Sequence, residues 1–549
     1  MRAALVSLFS SLWLAGCGPS ALGVSVQLIT KACPGAAANG SRNPVTGVDS
    51  LRFTLSGDGL ATSMTEVPFS SGAVKIPNIP LGTNRRIAVE ARAGRSLRSR
   101  ADSGPFDLIG TADLQLTLFL RVLDAFTPTG SADGATCTRM TTPRAGHALA
   151  LLPDGRVLVT GGFSLDAGSQ PHYHDDAEIF DPATASFTAL AAKPSARRAG
   201  HSALALRLGP GGTGILLAGG EGPADASGSG PLSGVRPFEL FSGGVWTTVQ
   251  PPPDSPAREH QAGAVDLKTG NAVFIGGQSG SDTASSNTIY DTVTWFEPRT
   301  SLIHEAALHL RAGPLTDTVA VARANVQGTS PGGIVLIGGR DGSLKASTQL
   351  SRLVFSDAQD YRDDPIFFKP APPASPVPLV LNHPLVHHVA ARMQDNTILV
   401  AGGLTVAPQV SGADYTNATA QLTIVDPTGG TVTDLPQPLS QARADSCAAA
   451  LEDGSVLIIG GAWKEPTNLQ VSGTTVDLVG TDGTVRPLLG AGTPAGTSWE
   501  LRDGRHQAAC LRLKDGSVLV TGGQQFDKTG KAEVLDTAEI YLPVGALAR

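Results

Sequence analysis

Histidines, tyrosines and cysteines carry the widest chemistry in this chain, and their positions limit what they can do. Two groupings have donors competent for a transition metal. PHYHDD (171–176) gathers His172, His174, Asp175 and Asp176, and LNHPLVHH gathers His383, His387 and His388. Other histidines recur at intervals. His147, His201, His260, His388 and His506 fall near the start of an apolar run, with Asp317 and Ser446 at the equivalent places of two more. Recurrence favours packing over ligation. An imidazole can bridge neighbouring backbones by two hydrogen bonds, whereas metal ligands converge on one point. The recurring histidines are therefore expected to be structural and the two clusters to be surface loops. No metal site and no cofactor is expected. Neither a zinc-protease helix motif nor a phosphate loop occurs, and no catalytic residue is assigned.

The elements that position these residues are repeated. Glycine pairs close an apolar strand at Gly161-Gly162, Gly219-Gly220, Gly276-Gly277, Gly338-Gly339, Gly402-Gly403, Gly460-Gly461 and Gly522-Gly523. Their spacing stays near ~60 residues, the mark of a repeat architecture. Each unit reads as a strand, a tight turn such as Asp154-Gly155, Asp453-Gly454 or Asp515-Gly516, a second strand ending in Gly-Gly, a variable loop, and two further strands. Asp-Gly pairs supply the positive φ that two-residue hairpins need. Third strands stand out as AEIFDP (177–182), LTIVDP (422–427) and AEIYLP (538–543). Four antiparallel strands per unit, repeated, make a β-propeller.

VLVTGG, EIFDPATASF and a fresh strand beginning RAGH resemble the kelch repeat of the galactose-oxidase-like class. That resemblance implies an all-β chain with a seven-bladed kelch-type β-propeller over 134–549. The last unit stops after AEIYLP without a fourth strand, so residues 135–140 (ATCTRM) are expected to complete it from the N-terminal side. The copper site of galactose oxidase needs two tyrosines, a cysteine crosslinked to one of them and two histidines. That set does not map onto the five tyrosines here, so the protein is expected not to be an enzyme.

Ahead of the repeats, residues 17–123 alternate apolar and polar positions, as at Leu51, Phe53 and Leu55, or Ile87, Val89 and Ala91. Such alternation reads as half-buried strands, and a small β-sandwich is expected, resembling immunoglobulin-like or transthyretin-like domains. Residues 124–133 read as a linker. The start, MRAALVSLFSSLWLAGCG, has Arg2 and an apolar run too short to span a bilayer comfortably. Its Leu14-Ala15-Gly16-Cys17 resembles the lipobox of bacterial lipoproteins. This implies a signal peptide over 1–16, lipid on Cys17 and, because Gly18 is not Asp, an outer-membrane destination. Export permits disulfides: Cys33 and Cys137 are placed to pair, while Cys447 and Cys510 are equally suited to a bond or to buried thiols.

Function is then expected in the irregular loops that follow each Gly-Gly, because variable loops on one face of a regular scaffold make binding surfaces. His172, His174, Asp175, Glu221, Arg340, Trp463, Lys464, Gln524 and Phe526 are the candidate contacts. The net charge of −7 carries no basic footprint for nucleic acid. The expected role is a lipid-anchored protein-binding or assembly module, with carbohydrate binding as the alternative.

Overall fold

The computed structural model describes residues 21–544 apart from 30–43, 70–73, 110–111, 131–135, 210, 224–231, 280–287, 312, 326–331, 357–359, 365–366, 369–376, 409–413 and 489–499. The described residues are strands and connections, with a single 3-10 turn at Tyr415–Asn417. Cys17, Cys33 and the segment read as a signal peptide lie outside them.

The N-terminal unit is two sheets on one core. In the first, Ala21–Ile29 lies between Val74–Pro80, antiparallel, and Leu114–Phe119, parallel. In the second, Ser50–Gly57 and Gly82–Ala93 are central, flanked by Leu60–Pro68 and Ser96–Asp102. Alternation sends Val24 and Val26 from one sheet, and Leu51, Phe53, Ile87 and Val89 from the other, into the same cluster. A side-chain period of two puts every second residue on the buried face.

Seven further sheets follow. Their first strands are Ala148–Leu151, Ser202–Arg207, Ala262–Val265, Val319–Arg323, Val389–Arg392, Cys447–Ala450 and Ala509–Arg512, and the strands pair antiparallel in chain order except for the fourth of sheet seven, which comes from ahead of sheet one. Sheet four adds a strand, Val380–Leu385, against its third. Each first strand lies beside the first strand of the next sheet, and that of sheet seven lies beside that of sheet one. The arrangement is that of a β-propeller.

The glycine pairs make the joints between sheets. The second glycine donates its N–H to a carbonyl in the following sheet: Gly162 to Arg198, Gly403 to Arg443, Gly461 to Arg505, and, across the seam, Gly523 to Arg144. Gly161 shows why a side chain is excluded. Its φ is +57°, and a Cβ there would sit 2.4 Å from the Arg198 carbonyl oxygen. Two imidazoles add cross-sheet bonds, His147 Nε2 to Thr521 Oγ1 at 2.7 Å and His201 Nε2 to Thr160 Oγ1 at 2.9 Å. Within sheets, a buried arginine ahead of the first strand meets a buried acid on the third: Arg144 with Glu178 at 2.9 Å, Arg505 with Glu539 at 3.0 Å, and Arg443 with Asp477.

The seam corrects one expectation. The fourth strand of sheet seven is Phe126–Pro128, inside the stretch read as a linker, and not residues 135–140. Burial explains the choice. Phe126 is fully buried, with its ring 5.3 Å from that of Tyr541. Among the described residues of the later segment only Met140 is buried, and the segment passes alongside through bridges Gly130–Cys137 and Arg139–Thr537.

Cys447 and Cys510 are bonded to each other, joining the first strands of sheets six and seven with Cα atoms 6.0 Å apart. Cys137 is also disulfide-bonded.

Candidate binding site at the centre of the ring

Strand pairing sets the register of the repeated RAGH segment. The residues immediately before the seven first strands are His147, His201, Gln261, Thr318, His388, Ser446 and Ala508. The expected histidine column therefore breaks. His147, His201 and His388 occupy it, but His260 stands one residue earlier and His506 two residues earlier. The physical determinant is the strand start, not the histidine.

One position earlier lies a second column: Gly146, Gly200, His260, Asp317, His387, Asp445 and Gln507. All seven have positive φ, between 50° and 63°. Their backbones link around the centre, with Gly200 donating to Gly146, Gly146 to Gln507, Gln507 to Asp445, Asp445 to His387, and Asp317 to His260. Glycine takes this conformation freely, whereas an L side chain there costs about 1 kcal/mol. Five of the seven positions carry one, and all five are polar.

Four of these side chains form one connected arc, and Gln507 makes a separate contact beside it. His260 Nδ1 is 2.9 Å from Asp317 Oδ1, and Arg340 Nε is 3.1 Å from Asp317 Oδ2. Arg340 Nη2 comes within 3.5 Å of His387 Nε2. His387 Nδ1 then meets Asp445 Oδ1 at 2.8 Å, and the Tyr415 hydroxyl donates to Asp445 Oδ2 at 2.7 Å. On sheet seven, Gln524 Nε2 donates to Gln507 Oε1 at 2.7 Å. The side chains stay partly open: His260 is 29% exposed, Asp317 10%, His387 19% and Asp445 12%.

Charge within the arc is balanced by alternation. Burial alone pushes the His387 imidazole down, but the Asp445 and Asp317 carboxylates outweigh it and raise its pKa. Burial opposes ionisation of Asp445, and His387 and the Tyr415 hydroxyl overcome it, so its carboxyl is lowered. Asp317 is likewise lowered against burial, by His260, Arg340 and His387. Burial, reinforced by Asp445, holds Tyr415 well above the usual phenol range.

An aromatic trio backs the arc on one side. The His506 ring stacks on Phe526 at 4.7 Å, and Tyr415 meets His506 edge-on at 5.6 Å. His506 Nδ1 is 2.9 Å from Ser472 Oγ, and burial lowers the His506 pKa to about 4. On the other side, donor atoms of Glu221, Glu259 and His260 lie within 4.8 Å of one another and could hold a metal ion.

The loops after Gly-Gly are short two-stranded ribbons in most sheets, such as Glu221–Pro223 with Leu232–Gly234 and Gln524–Phe526 with Ala532–Val534. Of the loop candidates, Glu221, Arg340, Gln524 and Phe526 reach the arc. The others make contacts elsewhere. His174 is buried, which lowers its pKa to about 4, and its ring lies 5.5 Å from that of His172. Asp175 pairs with Lys193 and Arg197, and Lys464 approaches Asp414 at 3.6 Å. Trp463 lies over Gly473. Sequence reading passed over Tyr415, Asp445, Gln507 and Glu259 as site residues. Aligning the repeats on their arginine, as RAGH, REHQ, RADS and RHQA, would have placed Asp445 and Gln507 in the glycine column.

No family model matches the chain, and no curated protein does. Among solved structures, the chain is similar to YjhT at 15% identity and TM-score 0.42, over 64% of this chain and 98% of that one. It is also similar to a fungal alcohol oxidase of the AA5 family in complex with copper, at 15% identity and TM-score 0.48, over 74% of this chain and 75% of that one. Among the described residues no tyrosine–cysteine copper centre is assembled. Cys137, Cys447 and Cys510 are all disulfide-bonded, so none offers the thiol for a crosslink. Tyr173, Tyr361 and Tyr541 give their hydroxyls to Glu221, Asp266 and Asp124 in three different sheets.

Proposed function

We propose that the seven sheets are the blades of a closed kelch-type propeller behind a small N-terminal β-sandwich, and that the protein is a lipid-anchored binding module of the bacterial outer membrane. Its ribbon face, centred on the polar arc, holds a protein partner. The observation that carries this reading is the set of five polar side chains in left-handed backbone at the centre of the ring. Such strain clusters at functional sites. Among the described residues, the N-terminal unit meets the propeller sheets at their other end, where Arg121 and Asp102 share a cleft with Arg156 and Lys514 at the hairpin turns of sheets one and seven. Disulfides at Cys447–Cys510 and Cys137 suit an oxidising compartment. No helix among the described residues is long and apolar enough to cross a membrane.

The recessed, alternating donors and acceptors of the arc favour a second reading, a carbohydrate ligand gripped through its hydroxyls. Pull-down from envelope extract and a glycan array separate the two. The decisive variant is Asp445→Gly, which returns the position to the residue type of Gly146 and Gly200. Partner or glycan capture should fall at least tenfold while the fold persists. Capture undiminished by Asp445→Gly would overturn the assignment of the arc.

A further inference from the structure

Where sheets two and three meet the arc, three side chains form a donor set that shares His260 with the arc. Glu221 opens the ribbon of sheet two, and Glu259 and His260 lead into the first strand of sheet three. One donor atom from each lies within 4.8 Å of the other two, the one such grouping found among the described residues. Glu259 is fully buried. Buried carboxylates are stable when paired or when they coordinate a cation.

Each of the three is oriented by a residue outside the set. The Tyr173 hydroxyl donates to Glu221 Oε1 at 2.8 Å, and Gln278 Nε2 donates to Glu259 Oε1 at 3.3 Å. His260 presents Nδ1 to Asp317 Oδ1 at 2.9 Å. A neutral imidazole that donates from Nδ1 carries its lone pair on Nε2, and a carboxylate behind the imidazole is the usual outer partner of a metal-ligating histidine. Asp317 comes from the next sheet, so this arrangement is independent of the trio itself.

We propose that Glu221, Glu259 and His260 bind one divalent first-row metal ion, Zn²⁺ or Mn²⁺, with Asp317 positioning the imidazole. Two carboxylates and one neutral imidazole match the charge of a divalent ion. The mixed nitrogen and oxygen donors favour these metals over Ca²⁺, which takes an all-oxygen shell. Three protein ligands leave coordination positions for water or for an oxygen of a bound ligand.

The test is equilibrium dialysis of the chelator-stripped, refilled full chain against buffered ZnCl₂, MnCl₂ and CaCl₂, read by elemental analysis and by thermal shift. One equivalent of Zn²⁺ or Mn²⁺ is expected, with little Ca²⁺. His260→Gly is the variant that keeps the fold, because Gly146 and Gly200 occupy the same position in sheets one and two. It should weaken metal binding at least 100-fold and lose the metal-induced thermal shift, while Asp317→Asn weakens binding about 10–100-fold. No uptake by the wild-type chain at micromolar free metal would overturn the proposal. So would equal stoichiometry and affinity in folded His260→Gly. Either result leaves the partner-binding reading standing, because Asp445→Gly lies outside the trio and reports on capture alone.

Discussion

Removing the Cys447–Cys510 bond should loosen one joint of the ring by a calculable amount. The bond closes a loop with a sequence separation of 63 and spans 6.0 Å between Cα atoms, an ordinary distance for bridged cysteines. In the chain-entropy model a loop of that size restricts the unfolded chain by about 4 kcal/mol. Both cysteines are only partly buried, so truncation to alanine adds little cavity cost. The double variant Cys447→Ala/Cys510→Ala should therefore unfold about 4 kcal/mol more easily. With a urea slope of about 3 kcal/mol/M or more, the midpoint falls by about 1 M. Tryptophan fluorescence across a urea series measures it, with mass spectrometry confirming oxidation of the wild-type chain. Thiol reduction of wild type should lower the midpoint at least as far as the double variant, because it also opens the bond at Cys137. Equal midpoints for oxidised wild type, reduced wild type and double variant would refute the reasoning.

Acid should weaken the joints carried by buried histidines. Burial lowers His147 to about 3 and His388 to about 4, while the unfolded chain protonates them near 6.5. Below about pH 6.5 the unfolded state binds more protons, so each histidine removes about 1.4 kcal/mol per pH unit until its folded pKa is reached. Urea midpoints at pH 7, 6 and 5 should fall accordingly, and a flat profile would contradict these burials. Phe126→Ala should cost about 3–5 kcal/mol, because the side chain is fully buried in the closing strand; an unchanged melting temperature would mean that the strand is not there. Gly200→Ala isolates backbone strain, since φ is +63° and nothing lies within 4 Å of the added Cβ, and should cost about 1 kcal/mol. Gly161→Ala should cost more, because its Cβ also meets the Arg198 carbonyl at 2.4 Å; equal costs would count against the close-packed joint.

The repeat made much of the architecture readable. Gly-Gly pairs and Asp-Gly turns depend on local φ, and alternation depends on a period of two, so both leave marks in a single chain. The seam was read one segment late. Phe126 buries against a strand about four hundred residues away, and a three-residue strand has too short a pattern to stand out from a linker. The site was harder still. His260, Asp317, His387, Asp445 and Gln507 share a backbone conformation but no residue type, so a search for recurrence found the imidazoles that bridge sheets. Cys447 and Cys510 stayed ambiguous because proximity across two units is not written in either one.

Energetics decides why the centre of the ring should be functional. Gly146 and Gly200 show that glycine satisfies this backbone position. Each non-glycine there costs about 1 kcal/mol, so the five together cost about 5 kcal/mol, comparable with the whole net stability of many domains. The ion pairs they form are partly exposed and return only a few tenths to about 1 kcal/mol each. Packing offers no alternative gain, since these side chains are polar and only partly buried. Strain that the scaffold does not need, concentrated in chemically diverse side chains at one point, is what a ligand-holding centre costs. Replacing all five by glycine should then raise stability or leave it unchanged while abolishing capture, and a pentaglycine variant that melts several degrees lower would show the arc to be structural instead.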